Sequence, residues 1–427
     1  MQASSAAAAA VPMLGPRILH PDPLETLNVA CVGVGGMGRS DLNATAKGDN
    51  VRIVALCDID ANNLGGAAKG HEGAKTFRDY RKMFDAMGKD IDAVVVATPD
   101  HMHGSISLAA LDLGKHVYCQ KPIAHNLYEC REMANRAAQK GVVTQMGTQI
   151  HSHGAYRTAV ATLRSGVIGK VREAHLWVGK SWGGNAKGRP DRSDPVPDHV
   201  DWDLWLGVAQ DRPYVKNAYH PANWRRWLDF GSGTLGDMGC HIFDPVFSAL
   251  GIGAPKNAVS NGPGHFSEMF APNGDLTYEF PGTDQTEETI KFRWTDGAAK
   301  KATERAQLPP GEKLPGAGSF LVGEKGVMVI PHWSAPRFYS NGAKMDVDVT
   351  KLPSLEHRHE WTDACRGEGE TSTPFSYACP LTEAVLIGTI AGHFPGQTLH
   401  WDSEKMEFDN YVATALVRRI YRKGWQL

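Results

Sequence analysis

The sequence predicts an α/β domain followed by an α+β domain: first a doubly wound parallel sheet, then an open, mostly antiparallel sheet. Three observations lead to this prediction. A glycine-rich turn joins two apolar runs near residue 33, strands and helices alternate up to about residue 150, and later strands show polar–apolar alternation. A chain of 427 residues can form two or three units with separate cores. We expect the first domain over 24–150 and the second over 151–427.

The glycine-rich turn lies in the segment LNVACVGVGGMGRSD, after the first predicted strand, Leu27–Val34. Glycines at this spacing let the backbone turn tightly and approach a pyrophosphate at a helix N-terminus, where free amides favour negative charge. An ordinary glycine-rich turn is the alternative, but strand, glycines, helix and second strand stand in register. The turn predicts a Rossmann dinucleotide site whose residues are Gly33, Gly35, Gly36, Met37 and Gly38.

Asp58 ends the second predicted strand, twenty residues beyond Gly38. An acid at this position accepts hydrogen bonds from the adenosine ribose. It would repel the 2′-phosphate of NADP, and the next two residues, Ile59 and Asp60, bring no cation. The sequence therefore favours NAD over NADP.

The rest of the first domain continues the alternation of helices and strands, which predicts a parallel sheet with right-handed crossovers. Asn126 is a good helix cap, and Gly141 is a good helix stop. The expected elements are helix Tyr80–Gly88, strand Ile91–Thr98, helix Gly104–Leu113, strand Lys115–Cys119, helix Asn126–Lys140 and strand Val142–Met146.

Polar residues follow two of these strands at the edge where ligands bind to open parallel sheets. Thr98 and Pro99 with His103 follow one strand, and we expect them to contact the nicotinamide end of the cofactor. Gln120 and Lys121 follow the next strand. The proline after Lys121 stiffens its backbone, which suits a cation that hydrogen-bonds a substrate hydroxyl and shares its proton. A surface histidine and a solvated lysine are the alternatives.

The second domain begins with a predicted helix, Tyr156–Ser165. The segment 181–230 is rich in Gly, Pro, Asp and Trp, and loops of this length are usually functional or form an interaction arm. A last amphipathic helix, Phe408–Lys423, is expected to pack back on either domain, including the first. The predicted strands are Val171–Val178, Asp275–Phe280, Glu288–Trp294 and Gly326–Ile330.

Asp237 and His241 are four residues apart, so on a helix they share a face, with Asp244 three residues further. Histidine titrates near neutrality, which suits a general base that takes a hydroxyl proton as hydride leaves carbon. Asp237 would orient His241 or hold a neighbouring hydroxyl. One alternative is a metal site, although no third ligand is evident, and another is a core histidine paired with a buried acid.

Six of the eleven tryptophans precede that helix within about fifty residues: Trp177, Trp182, Trp202, Trp205, Trp224 and Trp227. Aromatic faces beside arginines suit a polyhydroxylated ring, whose C–H face stacks while its hydroxyls take hydrogen bonds. Packing of the domain explains some of these residues equally well. The candidate substrate-binding residues are Trp182, Trp224, Arg225, Arg226, Asp237 and His241.

Composition excludes several classes of protein. A net charge of −2 with mixed signs argues against nucleic acid as a partner, and no run reaches the roughly 18 apolar residues of a membrane span. The seven cysteines lack C-x-x-C spacing and are expected to be buried thiols. Residues 1–23 are Ala-rich and then Pro-rich, which predicts the remnant of a twin-arginine export signal and a periplasmic location. A disordered leader on a cytoplasmic protein is the alternative.

Taken together, the glycine turn, Thr98–Pro99 with His103, Lys121 before proline and the Asp237/His241 pair resemble the Gfo/Idh/MocA family of NAD(P)-dependent sugar oxidoreductases. The resemblance covers nearly the whole chain from residue 27, and residues 421–425 look like its exported bacterial branch. It implies a Rossmann domain joined to an α+β domain whose open sheet mediates dimers or tetramers. It also implies that Lys121, Asp237 and His241 line the site before the nicotinamide, without a metal.

Two departures from the family pattern are informative. Gln120 stands where the family usually has glutamate, so the charge of that glutamate is absent. The Gly-Gly-His-Gly-Gly stretch of the family's NAD-dependent glycosidases is not found around 231–236.

The expected activity is NAD-dependent oxidation of a secondary hydroxyl of a sugar or glycoside, with C3 as a candidate position. One alternative keeps NAD(H) tightly bound and recycles it internally, as in glucose-fructose oxidoreductase or redox-assisted glycoside cleavage. A second alternative, from another class, is a sugar-binding subunit without catalysis.

Overall fold

The computed structural model describes residues 24–184 and 188–426 of the chain. The predicted leader, 1–23, lies outside them. The first domain has alternating strands and helices, as expected. Its strands are Leu27–Val32 (β1), Val51–Cys57 (β2), Lys75–Phe77 (β3), Ala93–Val96 (β4), His116–Gln120 (β5) and Thr144–Gly147 (β6). Its helices are Gly36–Thr45 (α1), Ala61–Ala68 (α2), Tyr80–Met87 (α3), Asp100–Asp112 (α4) and Leu127–Lys140 (α5).

The six strands form one parallel sheet in the order β3-β2-β1-β4-β5-β6. The chain reverses direction across the sheet between β1 and β4, which is where such sheets open a crevice for ligands. The predicted doubly wound Rossmann sheet is confirmed. The elements α2 and β3 were not predicted, because α2 contains two glycines and a single large apolar residue, and β3 has only three residues.

Local sequence signals explain the helix ends. The Asn126 side chain accepts a hydrogen bond from the Glu129 amide (3.0 Å), and α5 ends at Gly141 in the left-handed conformation (φ 62°). Helix α4 begins at Asp100, four residues before the predicted start, with Pro99 as its N-cap. The histidines at 101 and 103 therefore lie in the first turn of a helix, where the sequence predicted a loop.

The second domain contains a ten-stranded sheet in which only one pair of neighbours, Val171–Val178 (β7) with Thr286–Asp296 (β10), is parallel. This confirms the open, mostly antiparallel sheet. The other strands are Asn257–Ser260 (β8), Asp275–Pro281 (β9), Ala317–Gly323 (β11), Val327–Pro331 (β12), Arg337–Ser340 (β13), Ala343–Lys344 (β14), Thr398–Asp402 (β15) and Glu407–Phe408 (β16). The remaining α-helices are Gly154–Arg164 (α6), Trp202–Leu206 (α7), Cys240–Leu250 (α8), His357–Cys365 (α9), Phe375–Ala391 (α10) and Tyr411–Ala415 (α11).

After the second sheet, the chain returns to the first domain. Helix α9 packs against α1 and β6, and α10 packs against α5 and β6. Trp361 of α9 is fully buried beside Tyr118 (ring centroids 5.6 Å apart) and completes the apolar layer over β1. Residues far apart in sequence thus build one face of the nucleotide domain.

The predicted helix Phe408–Lys423 is wrong. Only Tyr411–Ala415 is helical, and the following residues are irregular. Their backbone groups bond to other parts of the chain: the Tyr128 amide donates to the Val417 carbonyl, and the Arg422 amide donates to the Val208 carbonyl. These tertiary hydrogen bonds replace the helical ones. The tail ends against the first domain, where Arg81 lies over the Trp425 ring at 4.0 Å.

Two further findings concern the whole described chain. All seven cysteines are buried free thiols. No helix in 24–184 or 188–426 has the length and apolarity needed to cross a bilayer.

We expect Trp361→Ala to lower the free energy of unfolding by about 3–5 kcal/mol, because it removes a fully buried aromatic side chain and leaves a cavity. Urea unfolding followed by circular dichroism measures the change. Trp333→Ala is the matched control, since that side chain is 63% exposed. An equal effect of the two substitutions would contradict the packing role of α9.

Candidate active site

A cleft of about 670 Å³ lies along the carboxyl ends of the first sheet and continues to α8 and the loops of the second domain. One end is formed by the glycine-rich turn and the residues after β2. The other end is formed by Lys121, His241 and the loop that carries His332 and Trp333. Both domains therefore contribute to one cleft.

The glycine turn has the shape of a phosphate-binding loop. Gly33 has φ +81°, and a Cβ there would lie 2.6 Å from the Ala97 carbonyl oxygen. A Cβ on Gly38 would overlap the Gly33 carbonyl, so Gly38 serves close packing of α1 on β1 and does not line the cleft. No side chain caps the N-terminus of α1, which leaves its amides free for an anion. Gly33, Gly35, Gly36 and Met37 line the cleft, and the turn fits a dinucleotide pyrophosphate.

Asp58 lies beside this turn and is tied to it. Its carboxylate oxygens accept hydrogen bonds from the amides of Val34 (2.8 Å) and Asp60 (2.9 Å). Burial raises the pKa of Asp58, while these two amides act in the opposite direction. Because each carboxylate oxygen has a second lone pair, the group can still accept a ribose hydroxyl from the cleft.

His103 plays a different part from the predicted one. Its Nδ1 lies 2.8 Å from the Pro122 carbonyl oxygen and its Nε2 lies 2.8 Å from the Thr98 carbonyl oxygen. Burial opposes its charged form, but Cys119, Asp100 and the Pro122 carbonyl raise the pKa of His103 to about 9. A protonated ring can donate to both carbonyls at once. His103 lines the cleft, but it holds the loops after β4 and β5 together rather than offering a nitrogen to the nicotinamide.

Gln120 also turns out to be a link between elements. Its Nε2 donates to a carboxylate oxygen of Asp41 in α1 (2.7 Å), and Arg358 of α9 donates to the other oxygen (2.7 Å). Asp41 is fully buried, and burial raises its pKa against the opposing effect of Arg358. A neutral amide at 120 satisfies this carboxylate, whereas the family's usual glutamate would place a second carboxylate against it.

Lys121 and Asp237 meet across the domain boundary. The ammonium of Lys121 lies 2.5 Å from the Asp237 carbonyl oxygen and 3.2 Å from its carboxylate. The carboxylate also contacts Lys180 (2.5 Å), the indole nitrogen of Trp182 (2.6 Å) and Arg225 (3.3 Å). Burial alone would raise the pKa of Asp237, but Lys121, Lys180 and Arg225 hold it far below its usual range. Asp237 is therefore a permanent anion.

His241 stands close to this pair. Residues Leu235–Gly239 form a π-helical turn, and His241 follows in the first turn of α8. A wider turn still leaves residues four apart on nearly the same side, so both His241 and Asp237 line the cleft. The His241 Nδ1 lies 3.1 Å from the Thr148 hydroxyl, and burial followed by the charge of Lys121 lowers its pKa well below 6.5. The ring is neutral at neutral pH and can accept a proton.

Asp244, on the same helix, points away from the cleft and bonds to His151 (2.9 Å) and Tyr377 (2.7 Å). Within the described ranges, no group of three His, Cys, Asp or Glu side chains could hold a metal ion. Asp237 and His241 thus line the cleft, whereas Asp244 belongs to a separate hydrogen-bonded group.

The predicted substrate residues divide into two groups. Trp224 and Arg225 line the cleft, with the guanidinium of Arg225 4.2 Å from the Trp224 ring centre. Trp182 does not line the cleft, because its indole N–H is turned to Asp237. Arg226 does not line it either, and its guanidinium donates to Asn223 (3.3 Å). The binding of substrate by Trp182 and Arg226 stays a prediction.

The residues that the sequence reasoning missed include Thr148, Lys180, His332 and Trp333. All but Thr148 line the cleft, and Thr148 bonds to His241. Lys180 stands two residues before Trp182, which is a weak signal. Nothing in the sequence around 332–333 indicates a position near His241.

Comparison with known families identifies the chain. Residues 27–148 match the Gfo/Idh/MocA model described as the oxidoreductase family, NAD-binding Rossmann fold, and residues 165–259 match the model for that family's C-terminal alpha/beta domain. Together the two matches span about half of the chain. The chain belongs to the Gfo/Idh/MocA oxidoreductase family. Its first domain is an NAD-binding Rossmann fold, which confirms the predicted class of cofactor.

The chain is similar to several curated sugar and polyol dehydrogenases. It is 25% identical over 245 residues to a levoglucosan dehydrogenase of Pseudarthrobacter phenanthrenivorans, covering 55% of this chain and 54% of the relative. It is 34% identical over 154 residues to an inositol 2-dehydrogenase of Rubrobacter xylanophilus, covering 34% of this chain and 42% of the relative. The chain thus spans about half the length of the curated relatives it matches.

Solved structures share the fold. A levoglucosan dehydrogenase in complex with NADH and levoglucosan aligns with a TM-score of 0.61 at 17% identity, covering 88% of this chain and 99% of that one. An aldose-aldose oxidoreductase from Caulobacter crescentus aligns with a TM-score of 0.59 at 18% identity, with the same coverage. Both structures have this arrangement of two domains.

We expect Gln120→Glu to lower the free energy of unfolding by about 1–3 kcal/mol at pH 7, because it sets a new carboxyl against buried Asp41. Burial and Asp41 would raise the folded-state pKa of the new carboxyl above its unfolded value of ~4.3. The loss should then grow as pH rises above that value and level off above the folded-state pKa. Urea unfolding between pH 4.5 and 8 measures it.

Gln120→Met is the matched control for the Gln120→Glu prediction. It removes the amide donor without adding a charge, so its loss should vary much less with pH over this range. Equal pH dependence in the two variants would contradict the contact between position 120 and Asp41.

Proposed function

We propose that the protein is an NAD-dependent dehydrogenase that oxidises a secondary hydroxyl of a sugar or glycoside, with C3 as the candidate position. The observation that carries the proposal is one cleft that begins at a dinucleotide turn and ends at Lys121, Asp237 and neutral His241. The names of the similar levoglucosan and inositol dehydrogenases support the same class of substrate.

The side chains of Lys121, Asp237 and His241 suit proton removal from a hydroxyl. When bound, NAD supplies a nicotinamide ring that accepts hydride from carbon. His241 accepts the hydroxyl proton at its cleft-facing ring, while Thr148 fixes the ring through Nδ1. Lys121 donates a hydrogen bond to the same hydroxyl oxygen and stabilises the negative charge that develops there. Asp237 keeps Lys121 in place.

We propose NAD rather than NADP as the preferred cofactor. The carboxylate of Asp58 stands where a 2′-phosphate would lie, and Asp60 adds a second acid next to it. Asp60 contacts His220 (3.2 Å).

A second mode of action has its own support: NAD(H) stays bound and is recycled within one catalytic cycle. The residues after β2 form the adenosine end of the cleft. The loop of residues 196–222 lies over this end: the Ala61 amide donates to the His199 carbonyl (2.8 Å), and the Asp201 amide donates to the Ile59 carbonyl (3.0 Å). Trp425 of the tail closes the same end. Export by the twin-arginine route and assembly into a dimer or tetramer remain predictions from the sequence and its resemblance.

The purified protein should produce NADH and a keto-sugar with a member of a sugar and glycoside panel, and NADP should support a far lower rate. His241→Asn should lower kcat by about 10²–10⁴-fold, because it removes the base, while NADH binding measured by fluorescence stays within about twofold. Since the neutral ring is the active form and its pKa is lowered, kcat/KM should remain flat from pH 8 to below 6.5 and fall only at lower pH.

His400→Asn, at an exposed position outside the cleft, is the control for His241→Asn. Turnover that survives the loss of His241 would count against His241 as the base. Sugar binding with no keto-sugar product from any glycoside, in the presence of NAD, would favour the non-catalytic sugar-binding subunit instead.

If the nucleotide is retained, nearly one NAD(H) per chain should co-purify with the protein, as measured by chromatography after acid release. Trp425→Ala should speed NADH dissociation at least tenfold in a fluorescence displacement assay, because it opens the adenosine end. Ile420→Ala is the control, since that residue of the same tail is 86% exposed and does not line the cleft. Rapid NADH release from the unaltered protein would exclude retention.

A further inference from the structure

The substrate end of the cleft carries more positive than negative charge. Three cations, Lys121, Lys180 and Arg225, surround a single carboxylate, Asp237. We propose that the sugar substrate is an anion: a uronic acid or glycosiduronate whose carboxylate binds between Lys180 and Arg225. The proposal rests on the proposed function and adds the chemical class of its substrate.

The other acids that line the cleft do not balance this charge. Asp58 and Asp79 lie at the adenosine end, where Asp79 is paired with Arg81 (2.7 Å). The positive charge of protonated His103 offsets Asp100, whose pKa is raised by burial while the charges of His103, Arg225 and Lys121 act in the opposite direction. Among the described residues that line the cleft, Asp237 is the one carboxylate that forms ion pairs with all three cations.

The imidazoles at this end are neutral and do not change the balance of charge. Burial, followed by the charges of Lys121 and Lys180, lowers the pKa of His332 to about 4. Burial and Lys121 likewise keep His241 neutral. An excess of about two positive charges thus remains in a partly enclosed site, where water compensates charge less well than at an open surface.

Lys180 and Arg225 both have donors to spare. Lys180 carries three N–H groups, and its described ion pair is with Asp237 (2.5 Å). The guanidinium of Arg225 uses Nε for Asp237 and Nη1 for the Ala222 carbonyl (3.3 Å), and its Nη2 has no partner within the described part of the chain. The Trp182 ring lies near both cations, at 5.5 Å from Lys180 and 5.3 Å from Arg225, and limits their movement.

The positions of these groups suit one pyranose ring. Lys121 binds one oxygen of the Asp237 carboxylate and Lys180 binds the other. A hydroxyl placed at Lys121 and His241 would therefore leave another edge of the same ring near Lys180. A carboxylate at that edge would receive charge-assisted hydrogen bonds from Lys180 and Arg225. A neutral hydroxymethyl group would leave the excess of positive charge uncompensated.

The test compares matched pairs of substrates that differ only in the anion. Methyl glucuronoside and methyl galacturonoside are assayed against the corresponding glucoside and galactoside, with the methyl esters of the uronates as neutral analogues of similar size. At least one uronate should show a kcat/KM ten to one hundred times that of its neutral partner and of its ester. A 6-O-sulfate of each glycoside forms a separate arm, and a sulfate that outperforms the uronate would overturn the carboxylate assignment.

Lys180→Met removes the charge from a side chain that is about half exposed, and should reduce the uronate-to-glycoside ratio of kcat/KM at least fivefold. Lys180→Arg should retain most of the ratio, and Lys351→Met, at an exposed position outside the cleft, should retain all of it. An equal or higher kcat/KM for the neutral partners would overturn the proposal. So would an unchanged ratio in Lys180→Met.

Calorimetry in the presence of NADH separates this proposal from the proposed function. Tighter binding of a uronate than of its ester, lost in Lys180→Met, supports the anion site even if no glycoside is oxidised. Absence of turnover with all substrates would then contradict only the dehydrogenase. Turnover of neutral glycosides with no preferential uronate binding would contradict only the anion site.

Discussion

The carboxylate of Asp237 is the interaction on which the site depends. It accepts from Lys121 of the first domain and from Lys180, Trp182 and Arg225 of the second, with a side chain that is only 10% exposed. Without it, three cations would repel one another at the point where the domains meet. The Asp237 main-chain carbonyl holds Lys121 a second time, so backbone and side chain together fix the distance between the β5 edge and α8.

Two consecutive residues at the end of β5, Gln120 and Lys121, contact different parts of the molecule. Lys121 reaches across the cleft to α8, while Gln120 reaches back into the first domain to Asp41, which also binds Arg358 of α9. A neutral glutamine fits at position 120, because Asp41 already supplies the buried carboxylate of this contact. The position of Lys121 thus depends on a helix that lies more than two hundred residues further along the chain.

Signals local in sequence predicted the parts of the fold that local forces decide. The glycine turn, the caps at Asn126 and Gly141 and the alternation of β7 and β9 all act within a few residues, and each prediction agrees with the structure. The prediction of a C-terminal helix failed because the backbone of this segment forms hydrogen bonds with residues 128 and 208. Hydrophobic periodicity cannot reveal such contacts. The place of Trp333 escaped prediction for the same reason, because its ring neighbour His153 comes from a distant segment.

The two ends of the cleft differ in charge and in the segments that cover them. This difference separates the route of the sugar from that of the nucleotide. Asp58, Asp79 and Arg78 lie at the adenosine end, which residues 196–222 and Trp425 cover. At the substrate end, three cations surround Asp237. Trp333 lies at this end with 63% of its surface exposed. A substrate that enters past Trp333 reaches Lys121 and His241 without displacing the loop over the adenosine. If the substrate is an anionic sugar and NAD(H) is retained, as proposed, this arrangement would let sugars exchange while the nucleotide stays bound.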